Sequence, residues 1–270
     1  MEENVITSTQ NARIKHVVAL QQKSSLRREE GLFVVEGQRE IEHCIACGYE
    51  IVEIFSRKEE GEIRKEITLD TTVTYVTPAV YEKMAYREST EGLIAVAKVK
   101  DHSLKNLKIN KSNPLIVVLE SVEKPGNLGA ILRTAEAANV DAVIVCDPLT
   151  DVYNPNLIRA SIGGVFSVPV ATCSSKECIG FLKEHKVRIL TAQLQDSYDY
   201  YDYNMRQATA LVMGTESTGL SQQWRDAADV HIRIPMLGRL DSLNVSVSTA
   251  ILIYEAVRQR NAAYQRTFGM

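Results

Sequence analysis

The chain has 270 residues with 31 Lys and Arg against 34 Asp and Glu, a formal net charge of −3, and 45% hydrophobic residues. That length exceeds one usual domain and suits two, and the near balance of charge means that any nucleic-acid contact has to come from a local patch. No apolar stretch is long enough to span a bilayer, the polar start Met1-Glu-Glu-Asn-Val is unlike a signal or Arg-rich transit peptide, and five scattered cysteines suit reduced thiols, so a cytoplasmic protein is expected.

In chain order, Thr9 to Gly37 reads as a helix, a basic turn and a strand, with Arg13, Lys15, Lys23, Arg27 and Arg28 concentrating positive charge. These five are the candidate nucleic-acid contacts, and a solvated helix face explains the same spacing equally well. Cys44 and Cys47 have Cys-x-x-Cys spacing, but no second Cys/His pair completes a zinc site, and both lie on a helical pattern from Glu40 to Cys47. The five His are dispersed, and no metal is expected. Strand-like Leu93 to Ala97 closes the first unit, and the polar, Lys/Asn-rich stretch from Lys100 to Asn113 reads as a linker. The domains are therefore set at 1–100 and 114–270, with 101–113 between them.

In the second unit, apolar runs at Leu115 to Leu119, Ala142 to Cys146, Val168 to Thr172, Val187 to Ala192, Ala210 to Met213 and Val230 to Ile234 alternate with helical stretches such as Lys176 to Lys186. Such alternation predicts an α/β unit with a mainly parallel sheet covered by helices. Three junctions stand out. After the first run comes Glu123-Lys-Pro-Gly-Asn-Leu-Gly-Ala-Ile-Leu-Arg133, a Gly loop leading into a helix, with Asn127 near its start and Arg133 among small apolar residues. Arg133 reads either as a site residue or as a partner of Glu136 on a solvated face. After the fifth run comes Gly214-Thr-Glu-Ser-Thr-Gly219, which puts Glu216 where ligands bind in open sheets, although the glycines also suit a plain turn and Glu216 a helix cap. After the sixth come Pro235 and Gly238, suited to a tight turn, then Asp241 or Ser242 as a cap, and a helix from Leu243 to Val257 apolar on most of its circumference. The tyrosine-rich segment Tyr198 to Tyr203 reads as a base-stacking surface or, equally, a plain loop.

Asn127-Leu-Gly-Ala-Ile-Leu-Arg133, Gly214-Thr-Glu-Ser-Thr-Gly219, and Ile234-Pro-Met with Ser242-Leu-Asn-Val-Ser246 together resemble the three signature motifs of the SpoU (TrmH-like) RNA ribose 2′-O-methyltransferases, a branch of the SPOUT superfamily. The resemblance runs from about Pro114 to Arg260. It implies a deep trefoil knot holding S-adenosylmethionine, a homodimer, and a preceding small α/β RNA-binding domain resembling ribosomal RNA-binding proteins. The N-terminal segment is similar to that domain, except that Ala12 follows Asn11 where family members often carry Pro. By resemblance, backbone groups around Gly214, Ile234 and Leu243 hold the cofactor, with Met213, Met236 and Gly238 as loop walls. Arg133 is the implied catalytic residue, with Asn127, Glu216, Ser242 and Asn244 completing the site. A guanidinium holds its proton too tightly to serve readily as a base, so Arg133 is better assigned to a phosphate flanking the target ribose. The implied substrate is structured RNA, ribosomal ahead of transfer RNA. A transfer-RNA enzyme and a non-catalytic RNA-binding protein are the alternatives. A dinucleotide-dependent oxidoreductase is disfavoured because the βαβ unit lacks Gly-x-Gly-x-x-Gly.

Overall fold

The structure, a computed structural model, describes residues 5–57, 71–86, 91–215 and 217–268, with side chains through residue 261. The chain forms two compact units, one comprising Met1–Lys100 and Asp151–Phe166 and the other Asp101–Thr150 and Ser167–Met270. The sequence reading placed 151–166 inside the second domain.

In the first unit, Asn11 caps the helix Ala12–Gln22 by accepting from the Arg13 amide at 2.9 Å, and Ile14, Val17 and Leu20 give that helix its buried stripe. A second helix, Ser24–Glu30, leads into β1 (Leu32–Glu36), which pairs antiparallel with β4 (Leu93–Lys98). On the far side of β4 lies β2 (Ile51–Ser56), antiparallel to it, and then β3 (Thr72–Tyr75), parallel to β2. One face of this sheet, through Val34 and Phe55, meets Ile14, Val17 and Leu20 of the first helix and Val80 and Tyr81 of the helix Pro78–Met84. Segment 151–166 belongs here because Tyr153 stacks on Phe33 with centroids 4.2 Å apart, and its hydroxyl accepts from the Lys100 amide at 2.9 Å. Cys44 is fully buried on the helix Gln38–Ala46, and burial, reinforced by neighbouring Cys47, pushes its thiol up to about 12. This agrees with reading Cys44 as packing, whereas Cys47 is half-buried at the end of the helix.

Arg27 corrects the reading of the basic patch. Its side chain is buried, its Nε donates to Asp151 Oδ2 at 2.6 Å, and its Nη1 donates to the Leu20 and Gln21 carbonyls at 2.5 and 3.1 Å. Burial and these three bonds hold the guanidinium inside the unit, so it is not presented to RNA as a surface cation would be. Arg13 is also engaged, with Glu53 and Thr74, whereas Lys15, Lys23 and Arg28 are exposed.

The second unit is built on a seven-stranded, wholly parallel sheet: β5 (Leu115–Glu120), β6 (Ala142–Cys146), β7 (Val170–Cys173), β8 (Arg188–Ala192), β9 (Tyr198–Asp199), β10 (Thr209–Met213) and β11 (Val230–Arg233). Its order is β7-β6-β5-β10-β8-β11-β9. Every residue of β5, β6 and β10 is buried, as expected where helices cover both faces. All six expected apolar runs contribute strands. The two-residue edge strand β9 was not anticipated; it exposes Tyr198, the turn Tyr200–Asp202 after it exposes Tyr201, and Asp199 pairs with Arg233. The C-terminal helix runs Val245–Phe268, longer than expected, and packs on the helix Pro125–Ala137 and on β10. Among the described residues no helix is long and apolar enough to cross a membrane.

Removing one partner of a buried ion pair strands the other, so Arg27→Ala should lower stability by about 3–5 kcal/mol in urea unfolding. The exposed Arg28→Ala should stay within about 0.5 kcal/mol of the parent.

Candidate active site

The sheet order creates the site. From β5 the chain proceeds outward through β6 and β7, whereas β10 has β8 and β11 on its other side, so connections diverge at the β5/β10 boundary. In open parallel sheets a crevice opens at such a boundary, beyond the carboxyl ends of the strands. Here a cleft open to solvent is lined by Val122, Glu123, Lys124 and Asn127 after β5, by Gly214, Thr215 and Ser217 after β10, and by Val245 at the start of the last helix.

Asn127 and Asn244 join two walls of this cleft. Asn244 Oδ1 accepts from the Ser246 amide at 3.0 Å and so caps the helix Val245–Phe268, while its Nδ2 donates to Asn127 Oδ1 at 3.2 Å. The cap is therefore Asn244, not Asp241 or Ser242 as the sequence suggested. Ser242 is exposed and, among the described residues, its hydroxyl donates to Asp241 alone, at 3.3 Å.

The third wall is closed by its own backbone. Thr215 and Gly219 exchange amide–carbonyl bonds at 3.1 and 3.2 Å, with Gly219 at a φ of 68°. A Cβ on Gly214 would collide with the backbone of Gly219 and Leu220, so this glycine is required by loop closure itself. The loop's exit is anchored by Glu120, a residue the sequence reading missed. Its buried carboxylate accepts from the Ser221 amide at 2.8 Å and from the Ser221 hydroxyl at 2.6 Å, capping the helix Gln222–Ala227. An acidic residue ending an otherwise apolar strand was the available signal.

Asn127 and Gly214 thus line the cleft and Asn244 adjoins it through Asn127 and Val245. Arg133 lies exposed further along the same helix as Asn127 and, among the described residues, pairs with neither Glu136 nor any other acid. Glu216 lies outside the described residues. Met213 ends β10 in the core, 4% exposed, and so cannot act as an open loop wall in this arrangement. Ile234 and Met236 are half-buried, Leu243 is 39% exposed and Leu237 98% exposed, on a stretch without regular structure. Gly238 needs no glycine there, since its φ is not left-handed and a Cβ would meet nothing within 4 Å. The lining mixes apolar Val122 and Val245 with the hydroxyls of Thr215 and Ser217 and the amide of Asn127, the composition of a small-molecule site.

Removing the cap should be felt at Asn244 alone. Asn244→Ala should cost about 0.5–2 kcal/mol in thermal unfolding, and Ser242→Ala less than about 0.5 kcal/mol.

The SpoU rRNA Methylase family model matches residues 114–254, and a model of the MRM3-like substrate binding domain matches residues 11–95. The 23S rRNA (guanosine-2′-O-)-methyltransferase RlmB of Haemophilus ducreyi is 32% identical over 222 residues, covering 78% of this chain and 90% of that protein. A crystal structure of an RNA 2′-O ribose methyltransferase superposes with a TM-score of 0.82 at 37% identity, covering 95% of this chain and 99% of that one. The SpoU methyltransferase AviRb from Streptomyces viridochromogenes, in complex with AdoMet, does so with a TM-score of 0.85 at 28% identity, covering 93% and 100%. The signature motifs, the parallel sheet and these matches agree, and the chain belongs to the SpoU rRNA methylase family.

Proposed function

We propose that this protein transfers the methyl group of S-adenosylmethionine to a ribose 2′-hydroxyl of ribosomal RNA. The observation that carries the reading is the cleft at the β5/β10 boundary, with Asn127 and Asn244 hydrogen-bonded beside it. S-adenosylmethionine supplies an electrophilic methyl on a sulfonium. Backbone groups around Gly214, Ile234 and Leu243 hold it, with Met236 and Gly238 nearby, and burial of Met213 leaves that residue a supporting role beneath the loop. The chain's own task is positioning, because aligning the hydroxyl with the methyl–sulfur bond removes much of the barrier to displacement.

Arg133 binds a phosphate flanking the target ribose and stabilises alkoxide charge as the hydroxyl proton passes to phosphate or water. Its exposure and lack of an ion pair among the described residues support that role. Asn127 and Glu216 orient Arg133 and the ribose, while Asn244 and Ser242 complete the polar wall. Ribosomal RNA is supported by RlmB and by the match of residues 11–95 to a substrate-binding domain, so that unit acts as the small RNA-binding domain, with exposed Lys15, Lys23 and Arg28 among its contacts. The cytoplasm is the corresponding site of action. Placement of β10 between β5 and β8 supports a C-terminal trefoil knot.

We also assign a homodimer. Val247 and Tyr254 lie two turns apart on the last helix and are 46% and 50% exposed, and Leu243 just before the helix is 39% exposed, an apolar surface that a second subunit would cover. Light scattering should give twice the chain mass, and Val247→Glu with Tyr254→Glu should give the monomer. A wild-type monomer at working concentrations removes this assignment.

Methyl transfer is tested with labelled S-adenosylmethionine and ribosomal RNA lacking the modification. Wild type should label one ribose 2′-oxygen, and Arg133→Ala should lose about 2.7–4 kcal/mol of transition-state stabilisation, roughly 10²–10³ in rate. Arg133→Lys should also lose activity because an ammonium lacks the fork. Full turnover in that variant refutes the bidentate role, and no label on any ribosomal RNA refutes the substrate.

A further inference from the structure

Outside the cleft, the second unit gathers three of the chain's five cysteines, and this arrangement is independent of the methyl-transfer reading. Cys146 ends β6 and Cys173 ends β7, and the parallel register makes them direct neighbours. Ser174 then caps the helix Ser175–Glu184 with a capping box, and the first turn of that helix carries Cys178 back over the strand ends. The three sulfur atoms all lie within 4.8 Å of one another. Cys146 and Cys178 are fully buried and Cys173 is half-buried, which gives the cluster one edge open to solvent.

Cys146 and Cys178 belong to the apolar core of the sheet and Cys173 packs against it, but the convergence of three sulfurs from separate elements also makes a donor set. A metal bound to three thiolates at about 2.3 Å in a plane separates them by about 4 Å, close to what the fold already provides. Among the described residues no fourth His, Cys, Asp or Glu joins the group. That donor set suits a soft cation content with three ligands and lacks the four protein ligands of a structural zinc site. We propose that Cys146, Cys173 and Cys178 form a binding site for monovalent copper. On binding, three thiols release three protons to solvent and three copper–sulfur bonds form, with no change of oxidation state. The Cys146 carbonyl accepts from the Ser121 amide at 2.9 Å, so the site braces the start of the loop that lines the cleft.

The test uses the full chain carrying Cys44→Ala and Cys47→Ala, which leaves only the three clustered thiols, titrated anaerobically with Cu(I) against a coloured chelator. One copper per chain is expected, with three sulfur neighbours in X-ray absorption, and the further change Cys173→Ser should abolish stoichiometric binding. Unchanged binding in that variant, or no binding in its parent, overturns the site. X-ray absorption on wild type with one equivalent of Cu(I) covers the case in which a variant fails to fold: three sulfurs support the site and two overturn it. Zn(II) that displaces Cu(I) overturns the choice of metal.

Discussion

The site depends on where β10 lies. By returning between β5 and β8, it brings the loop after Met213 beside the loop after Glu120, two segments about ninety residues apart in the chain. Parallel pairing fixes the register, Leu119 against Met213, so both loops leave the sheet at the same level. A one-residue slip would turn every side chain of β10 to the opposite face. The crevice follows from topology, and the side chains then determine what it holds.

Two hydrogen-bonded ties stiffen that crevice. Glu120 joins the end of β5 to Ser221 beyond the Gly214–Gly219 turn, and Asn244 joins the last helix to Asn127. Each also caps a helix, so a single side chain satisfies otherwise unpaired amides and sets loop position. Buried charge-assisted bonds such as those of Glu120 are the stronger kind. Loops held in this way need little reorganisation when a ligand enters, which is the condition for effective positioning.

Much of this was legible in the sequence, and the exceptions have identifiable causes. The strands of the second unit were readable because a parallel strand covered on both faces becomes an unbroken apolar run, as in Leu115 to Leu119. β9 was not readable, since Tyr198–Asp199 carries no such run. Asn127 and Gly214 of the motifs do line the crevice, but the cap was ambiguous because Asp241, Ser242 and Asn244 all favour that position. Only the fold shows that Asn244 has the geometry. Arg27 reads as part of a basic patch until Asp151, 124 residues away, is brought against it. The same holds for the sulfur cluster: Cys146 and Cys173 are 27 residues apart, and only the β6/β7 register makes them neighbours. Local pattern thus fixes element type, while partners of isolated polar groups depend on register and topology.

The central claim, that the β5/β10 crevice is the cofactor site, is tested most directly by amide chemical-shift mapping of the isotope-labelled chain during titration with S-adenosylmethionine. The largest shifts should fall on Val122, Asn127, Gly214, Thr215 and Val245, which line the cleft. Shifts centred on the first unit, or at the opposite strand ends around Leu115 and Thr209, would contradict it.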